Sequence, residues 1–318
     1  RPARRRHSPR SHGANMTVSL TGATGFVGQA VLDVAAQVEE PVRALTRRPQ
    51  ADLKHVEWIA GDLSNPAALA RLCDSTDAVI HVAGLTTTPD PADFEEANVA
   101  GTERLIAAAK QKKVRRFIFV SSLSAREPDL SVYGASKAKA ERLVENSGLD
   151  WTIVRPPGVY GPRDVDYFEM FRSARMGFVP LPPGGASSII HVDDLARLLL
   201  TLVDAPPALV RRQIFEPDDG REGGWSHKEL AKAIGAAVGR RVFAPHLPRA
   251  VLETAARADR LIRRDKARLT ADRVGYMTHP NWVARSSRKV PEAVWSPRIS
   301  GKAGLASTAA WYRKQGWL

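Results

Sequence analysis

One cysteine, Cys73, stands in 318 residues. An intrachain disulfide is therefore excluded, which fits a reducing compartment, and Cys73 in Leu72-Cys73-Asp74 reads as a helix-end residue. The Cys-x-x-Cys and His/Cys spacings of metal sites are absent, so no metal is expected. Long apolar runs are missing as well. The longest, Leu195 to Val203, is interrupted by Arg197 and falls far short of the ~20 residues that cross a bilayer, so the expectation is a soluble, cytoplasmic protein. Acid is in deficit, with 34 Asp and Glu against 47 Lys and Arg and a net charge of +13. The excess is uneven, dense in the leader Arg1 to Asn15 and again from Arg257 to Arg273. Basic surfaces suit nucleic acid, anionic lipid or an anionic substrate. Interleaved aromatics and nucleic-acid motifs are lacking, which argues against the first. Peripheral membrane contact stays open through Ala250 to Arg264, with Leu252, Leu261 and Ile262 on one side; solvated arginine is the plain alternative.

Strand-like runs near Val18, Val42, Val56, Val79, Ile118 and Ile153 alternate with helix-like runs near Val31, Leu69, Leu105 and Leu143. That alternation predicts an α/β fold with a doubly wound parallel sheet covered on both faces. With 43% hydrophobic residues the chain can bury a full core and carry a second lobe. Val18-Ser-Leu-Thr-Gly22-Ala-Thr-Gly25-Phe-Val-Gly28 reads as a strand, a glycine-rich turn and a helix. Gly22 suits the tight turn, Gly25 a close approach of backbone to a pyrophosphate, and Gly28 close helix-to-strand packing. A structural glycine-rich turn would look the same. Further on, Ser131-Val-Tyr-Gly-Ala-Ser-Lys137 follows the strand-like run Phe117 to Ser122. Tyr133 and Lys137, four apart, project from one helix face, where a cation favours the phenolate and lowers the phenol toward neutrality. Ser122 is placed to hydrogen-bond a substrate oxygen. Tyr-x-x-x-Lys alone is common by chance in helices.

Taken in order, these motifs identify a resemblance to the extended short-chain dehydrogenases/reductases, which include nucleotide-sugar epimerases and dehydratases, hydroxysteroid dehydrogenases and dihydroflavonol-type reductases. The series is Thr21-Gly-Ala-Thr-Gly-Phe-Val-Gly28, Gly61-Asp-Leu63, His81-Val-Ala-Gly84, Asn98-Val-Ala-Gly-Thr102, Ser121-Ser122, Tyr133-Gly-Ala-Ser-Lys137, Arg155-Pro-Pro-Gly-Val-Tyr-Gly-Pro162 and His191-Val-Asp-Asp194. It runs from about Thr17 to about Leu200. The resemblance implies a Rossmann domain over residues 16–162, completed by about 186–216, and a smaller, mostly helical substrate lobe from 163–185 and 217–318. Residues 1–15 read as a disordered basic leader, with Met16 a candidate start.

The resemblance also implies roles. Ser122, Tyr133 and Lys137 become the catalytic set, with Tyr133 as proton donor. Gly22, Thr24, Gly25, Phe26, Val27 and Gly28 become the phosphate turn, and Asp62 and Leu63 the adenine side, although Asp62 could equally cap a helix. Ala83 and Gly84 would pass beneath the cofactor, Asn98 would hold its helix and order the proton path, and Pro156 would close over the nicotinamide. His191 and Asp193 read as structural. Arg47 and Arg48 end the second strand, Pro41 to Thr46, where an NAD-specific member would usually place an acid; a guanidinium there attracts a 2′-phosphate, so NADP is expected and NAD stays open. Trp225, Trp282 and Trp295 are candidates for an apolar pocket or for core.

The expected function is hydride transfer between NADP(H) and a carbonyl or alcohol substrate. Steroid, flavonoid-like ketone, sugar nucleotide and lipid-derived carbonyl are all left open as that substrate. Two alternatives remain: a nucleotide-sugar epimerase or dehydratase that retains NAD, and a non-catalytic nucleotide-binding scaffold subunit. Leu123 and Ser124 stand where a dehydratase would place an acid pair. A homodimer through the helices bearing Asn98 and Tyr133 is a further expectation of the resemblance.

Overall fold

Six apolar runs become parallel strands and a seventh joins late in the chain. They are Val18–Thr21 (β1), Val42–Thr46 (β2), Val56–Ala60 (β3), Ala78–His81 (β4), Arg116–Val120 (β5), Trp151–Val154 (β6) and Gln213–Phe215 (β7). The computed structural model describes residues 17–264, 267 and 269–318, so the expectations for the leader and for Met16 lie outside the described residues. Across the sheet the order is β7-β6-β5-β4-β1-β2-β3, parallel throughout. Every residue of β1, β4, β5 and β6 is buried. Burial on both faces explains why these strands are near-continuous apolar runs instead of alternating ones. Their polar members find internal partners: Arg116 donates from Nη1 to Leu202 O and Ala205 O, both at 2.7 Å.

The main α-helices are Phe26–Gln37 (α1), Pro66–Leu72 (α2), Gly101–Gln111 (α3), Val132–Glu145 (α4), Asp166–Arg175 (α5), Val192–Asp204 (α6), His227–Val238 (α7), Arg249–Arg263 (α8), Ala271–Met277 (α9) and Gly301–Lys314 (α10). On one face of the sheet α1 and α6 pack their apolar stripes against β1, β4 and β5. On the other, α2, α3 and α4 pack theirs against apolar residues of β2 to β7, giving a Rossmann-type three-layer arrangement. A mostly helical lobe gathers α5, α7 and α10 around Tyr160, Phe171, Trp225, Ile234 and Tyr312. Trp225 and Trp295 are core residues; Trp282 is half-buried and donates to Tyr276 O at 2.7 Å. Asp194 ties the lobe back to the sheet by accepting from the amides of Arg298 and Ile299 at 2.8 Å each.

One boundary differs from the sequence expectation. The strand expected to reach Ser122 stops at Val120, because Ser122 turns to cap the short helical turn Leu123–Arg126, accepting from Ser124 N at 3.1 Å. Three short strand pairings outside the main sheet, among them Gly158–Tyr160 with Ile189–His191, are too brief to carry a periodicity.

Close contact between α1 and β1 sets the first turn. Gly22 has φ +75°, and a Cβ on Gly28 would lie 2.0 Å from Gly22 O and 2.7 Å from Ala23 Cα. Those neighbours are backbone and cannot step aside. Gly28→Ala should lower unfolding free energy by about 1–3 kcal/mol, read by urea denaturation; an unchanged midpoint would show that α1 can shift freely.

Candidate active site

Parallel strands β1, β4, β5 and β6 end along one line, and each is followed by a segment carrying expected site residues. The order reverses direction between β1 and β4, which opens a crevice at that point of the sheet edge. After β1 comes the glycine-rich turn. Helix α1 follows Gly25, its N-cap, with no side-chain cap and no acid in its first turn, so its leading N–H groups are offered outward. Thr24 is exposed, while Phe26 and Val27 pack partly against the core.

Tyr133 lies in the first turn of α4. Ser131 caps that helix, accepting from Gly134 N at 2.9 Å, so the phenol sits where the spacing predicted. Ser122 hydrogen-bonds the phenol. One turn on, Lys137 is buried and donates from Nζ to Val120 O at 2.8 Å, with the ammonium 4.5 Å from the centre of the Phe119 ring. Burial pushes the Lys137 pKa down to about 8, opposed by the charge of Glu141. The Tyr133 phenol moves the other way. Burial pushes it up to about 12, only partly offset by the Ser122 bond, against the lowering expected from Lys137. Desolvation therefore dominates, and the phenol keeps its proton.

Asn98 is buried on a π-helical turn, Glu95–Ala100, and braces the neighbourhood. Its Oδ1 accepts from Leu85 N at 2.7 Å; its Nδ2 donates to Leu85 O at 3.0 Å and Ser136 Oγ at 2.9 Å. Gly84 lies directly beneath, with room for no side chain between Asn98 and the Lys137 ammonium. Ala83 donates its N–H to Thr21 Oγ1 at 3.2 Å. Pro156, after β6, accepts from Leu123 N at 3.1 Å and is buried.

The remaining expected residues stand apart, at the ends of β2 and β3. Arg47 and Arg48 are exposed. Asp62 Oδ1 accepts from Ser64 N and Oγ at 2.8 and 2.6 Å, which hold its carboxyl below the ordinary range, with the Arg47 charge adding to the effect. The helix cap considered for Asp62 belongs instead to Asn65, whose Oδ1 accepts from Ala68 N. Leu63 packs partly into the core. His191 caps α6 through Nδ1, at 3.2 Å from Asp193 N.

A protein-family model described as "NAD(P)H-binding" matches residues 22–206. The chain belongs to this NAD(P)H-binding family. It is a member of the extended short-chain dehydrogenases/reductases, and its relatives include named reductases and epimerases. A ceramide reductase of Caulobacter vibrioides is 33% identical over 316 residues, covering 96% of this chain and 97% of the relative. A UDP-glucose 4-epimerase of Vibrio cholerae is 28% identical over 251 residues, covering 69% and 76%. Among solved structures, that of gox2253 superposes with a TM-score of 0.76 at 25% identity, covering 96% of this chain and all of the other. The family assignment makes the chain an enzyme of the oxidoreductase type that binds NAD(P). Among the described residues no helix is long and apolar enough to cross a membrane, and no group of three or more His, Cys, Asp or Glu could hold a metal.

Sequence reasoning missed three supports of this family site. His81 is buried and neutral, its pKa depressed to about 3 by burial and the Lys137 charge. Thr102 Oγ1 donates to Asn98 O at 2.7 Å, so it accepts from His81 Nε2–H at 2.9 Å; His81 Nδ1 then accepts from Thr21 Oγ1 at 2.7 Å. Second, a buried chain of charges runs from Glu141 to Arg155 (2.5 Å), to Glu216 (3.7 Å) and to Arg126 (3.2 Å), whose guanidinium reaches Val283 O and Asn281 O in the lobe. Third, α9 sits over α4: Asp272 accepts from Val132 N at 2.5 Å, and the Tyr276 ring lies 6.3 Å from that of Tyr133. Only the His in His81-Val-Ala-Gly84 carried a local signal; Glu141 and Arg155 are 14 residues apart, and the other contacts of the charge chain and of α9 span 61 to 157 residues.

Because the folded Lys137 pKa of about 8 lies below its ordinary 10.5, the native state holds this proton less tightly than the unfolded chain. Its charge thus opposes folding at neutral pH, and the penalty fades as pH rises from about 8 toward 10.5. Lys137→Met should raise the denaturation midpoint at pH 7, with the gain shrinking toward pH 10.5. A gain independent of pH would show that burial does not strain the ammonium.

Proposed function

We propose that the chain is an NADP(H)-dependent reductase of a ketone on a long-chain lipid of the ceramide kind. The observation that carries this reading is the grouping of the Tyr133 phenol, the Ser122 hydroxyl beside it and the Lys137 ammonium one helical turn further along α4. In the reductive direction a proton donor must be protonated before reaction, and a phenol held near 12 meets that need. When bound, the nicotinamide supplies the hydride. Ser122 orients the carbonyl oxygen by hydrogen bonding, Tyr133 gives that oxygen its proton, and Lys137 stabilises the phenolate left behind while holding the nicotinamide ribose. In the reverse direction Tyr133 is the base.

The residues present fit the dinucleotide. The uncapped start of α1 with Gly22, Thr24, Gly25, Phe26, Val27 and Gly28 suits the pyrophosphate, since a Cβ on Gly28 has no room. Arg47 and Arg48 suit a 2′-phosphate, and Asp62 and Leu63 the adenine. Ala83, Gly84, Asn98 and Pro156 border the nicotinamide side. Arginines where an acid would face a ribose hydroxyl favour NADP over NAD. The full-length likeness to a ceramide reductase supports a lipid ketone, as do Phe94 and Tyr276, whose rings flank Tyr133 at 5.9 and 6.3 Å.

Steady-state assays with a long-chain 3-keto sphingolipid and either NADPH or NADH test both halves. Tyr133→Phe should lower kcat by about 10²–10⁴-fold with cofactor binding retained. Arg47→Asp should raise KM for NADPH by about tenfold or more and change that for NADH little, as loss of a charged hydrogen bond predicts. Co-purified NAD with interconversion of UDP-sugars and no NADPH consumption would place the chain with the epimerases instead.

A further inference from the structure

The lobe carries an exposed apolar surface that the site does not use. Met176 and Phe178, just after α5, are 75% and 45% exposed, and Phe243, opposite them, is 69% exposed. Phe178 and Phe243 pair as neighbouring extended residues, their rings 6.1 Å apart, and Phe243 N donates to Gly177 O at 2.8 Å. The backbone thus presents two phenylalanines and a methionine together at a turn, with Arg175, Arg240 and Arg241 exposed around them.

Six residues beyond Phe243 the same chain enters α8, which repeats the pattern. Leu252 and Ala256 are buried with Val274, which fixes the face that packs on the lobe. Val251, Ala255, Ala258 and Ile262 recur at helical spacing on another face and are exposed, with Leu261 beside them; Leu261 and Ile262 are 81% and 80% exposed. Arg257 and Arg260 are exposed beside this stripe. Across residues 240–264 there are seven arginines against two acids, Glu253 and Asp259, and each acid is ion-paired, to Arg249 and Arg263.

We propose that this stretch, with Met176 and Phe178, docks the enzyme on a lipid surface bearing anionic headgroups. Charge decides among occupants. A second copy of a chain carrying +13 would bring like charge against these arginines, whereas an anionic bilayer complements them and accepts the aromatic and aliphatic tips into its interface. The proposal rests on this surface alone and holds whatever ketone the enzyme reduces.

Sedimentation of the full chain with phosphatidylcholine vesicles containing 40% phosphatidylglycerol, and with pure phosphatidylcholine, provides the test. Binding is expected only to the anionic vesicles, weakening with salt. Phe243→Asp and Ile262→Asp, both at exposed positions, should each reduce partitioning at least tenfold while leaving NADPH binding and the melting temperature unchanged. No binding, equal binding to neutral vesicles, or indifference to both substitutions overturns the proposal. So does a concentration-dependent dimer in sedimentation velocity, abolished by the same substitutions in the absence of vesicle binding.

Discussion

Four adjacent strands buried on both faces can satisfy their backbone groups only by pairing with one another. In β1, β4, β5 and β6 that pairing is parallel, so the four C-terminal ends fall in one line. Everything chemical in the molecule follows from that line. The glycine-rich turn, Ala83-Gly84, Ser122 and Pro156 are spread over more than 130 residues of chain, yet each is the first irregular segment after one of these strands. Loops can leave a buried parallel sheet only at its ends, and here one end receives them all.

Behind the line, polar side chains are buried and paired. Asn98 satisfies both backbone groups of Leu85 and reaches Ser136, while the His81 ring joins Thr21 at the end of β1 to Thr102 on α3. Inside a protein each such group is costly to leave unpaired, so these bonds admit essentially one arrangement of the turn after β4 and of α4. Lys137 is less well compensated. Its ammonium has one carbonyl and one aromatic face, and burial works against its charge.

The second lobe completes what the sheet begins. Asp272 supplies a carboxylate to the first amide of α4, where the helix dipole favours negative charge, and Tyr276 and Trp282 stand in the same segment. Arg126, anchored on Glu216, donates to the carbonyls of that segment. Helix α9 is therefore held over Tyr133 by charge-assisted bonds, and the position of a lobe residue and that of the phenol are coupled.

Much of this was legible in the amino-acid order alone. Apolar runs at strand length, separated by helix-length segments, point to a parallel sheet because helical crossovers join parallel strands and cover both faces of the sheet. Local spacing put Tyr133 and Lys137 on one helix face, and Gly22 and Gly28 at a turn that tolerates no larger residue. Tertiary structure alone decided the rest. The strand limit at Val120, the tautomer of His81, the direction of the Tyr133 shift and the chain from Glu141 to Arg126 depend on groups that meet only after folding. Burial and hydrogen-bond partners are properties of space, and a linear spacing rule reaches no further than one helical turn or one strand.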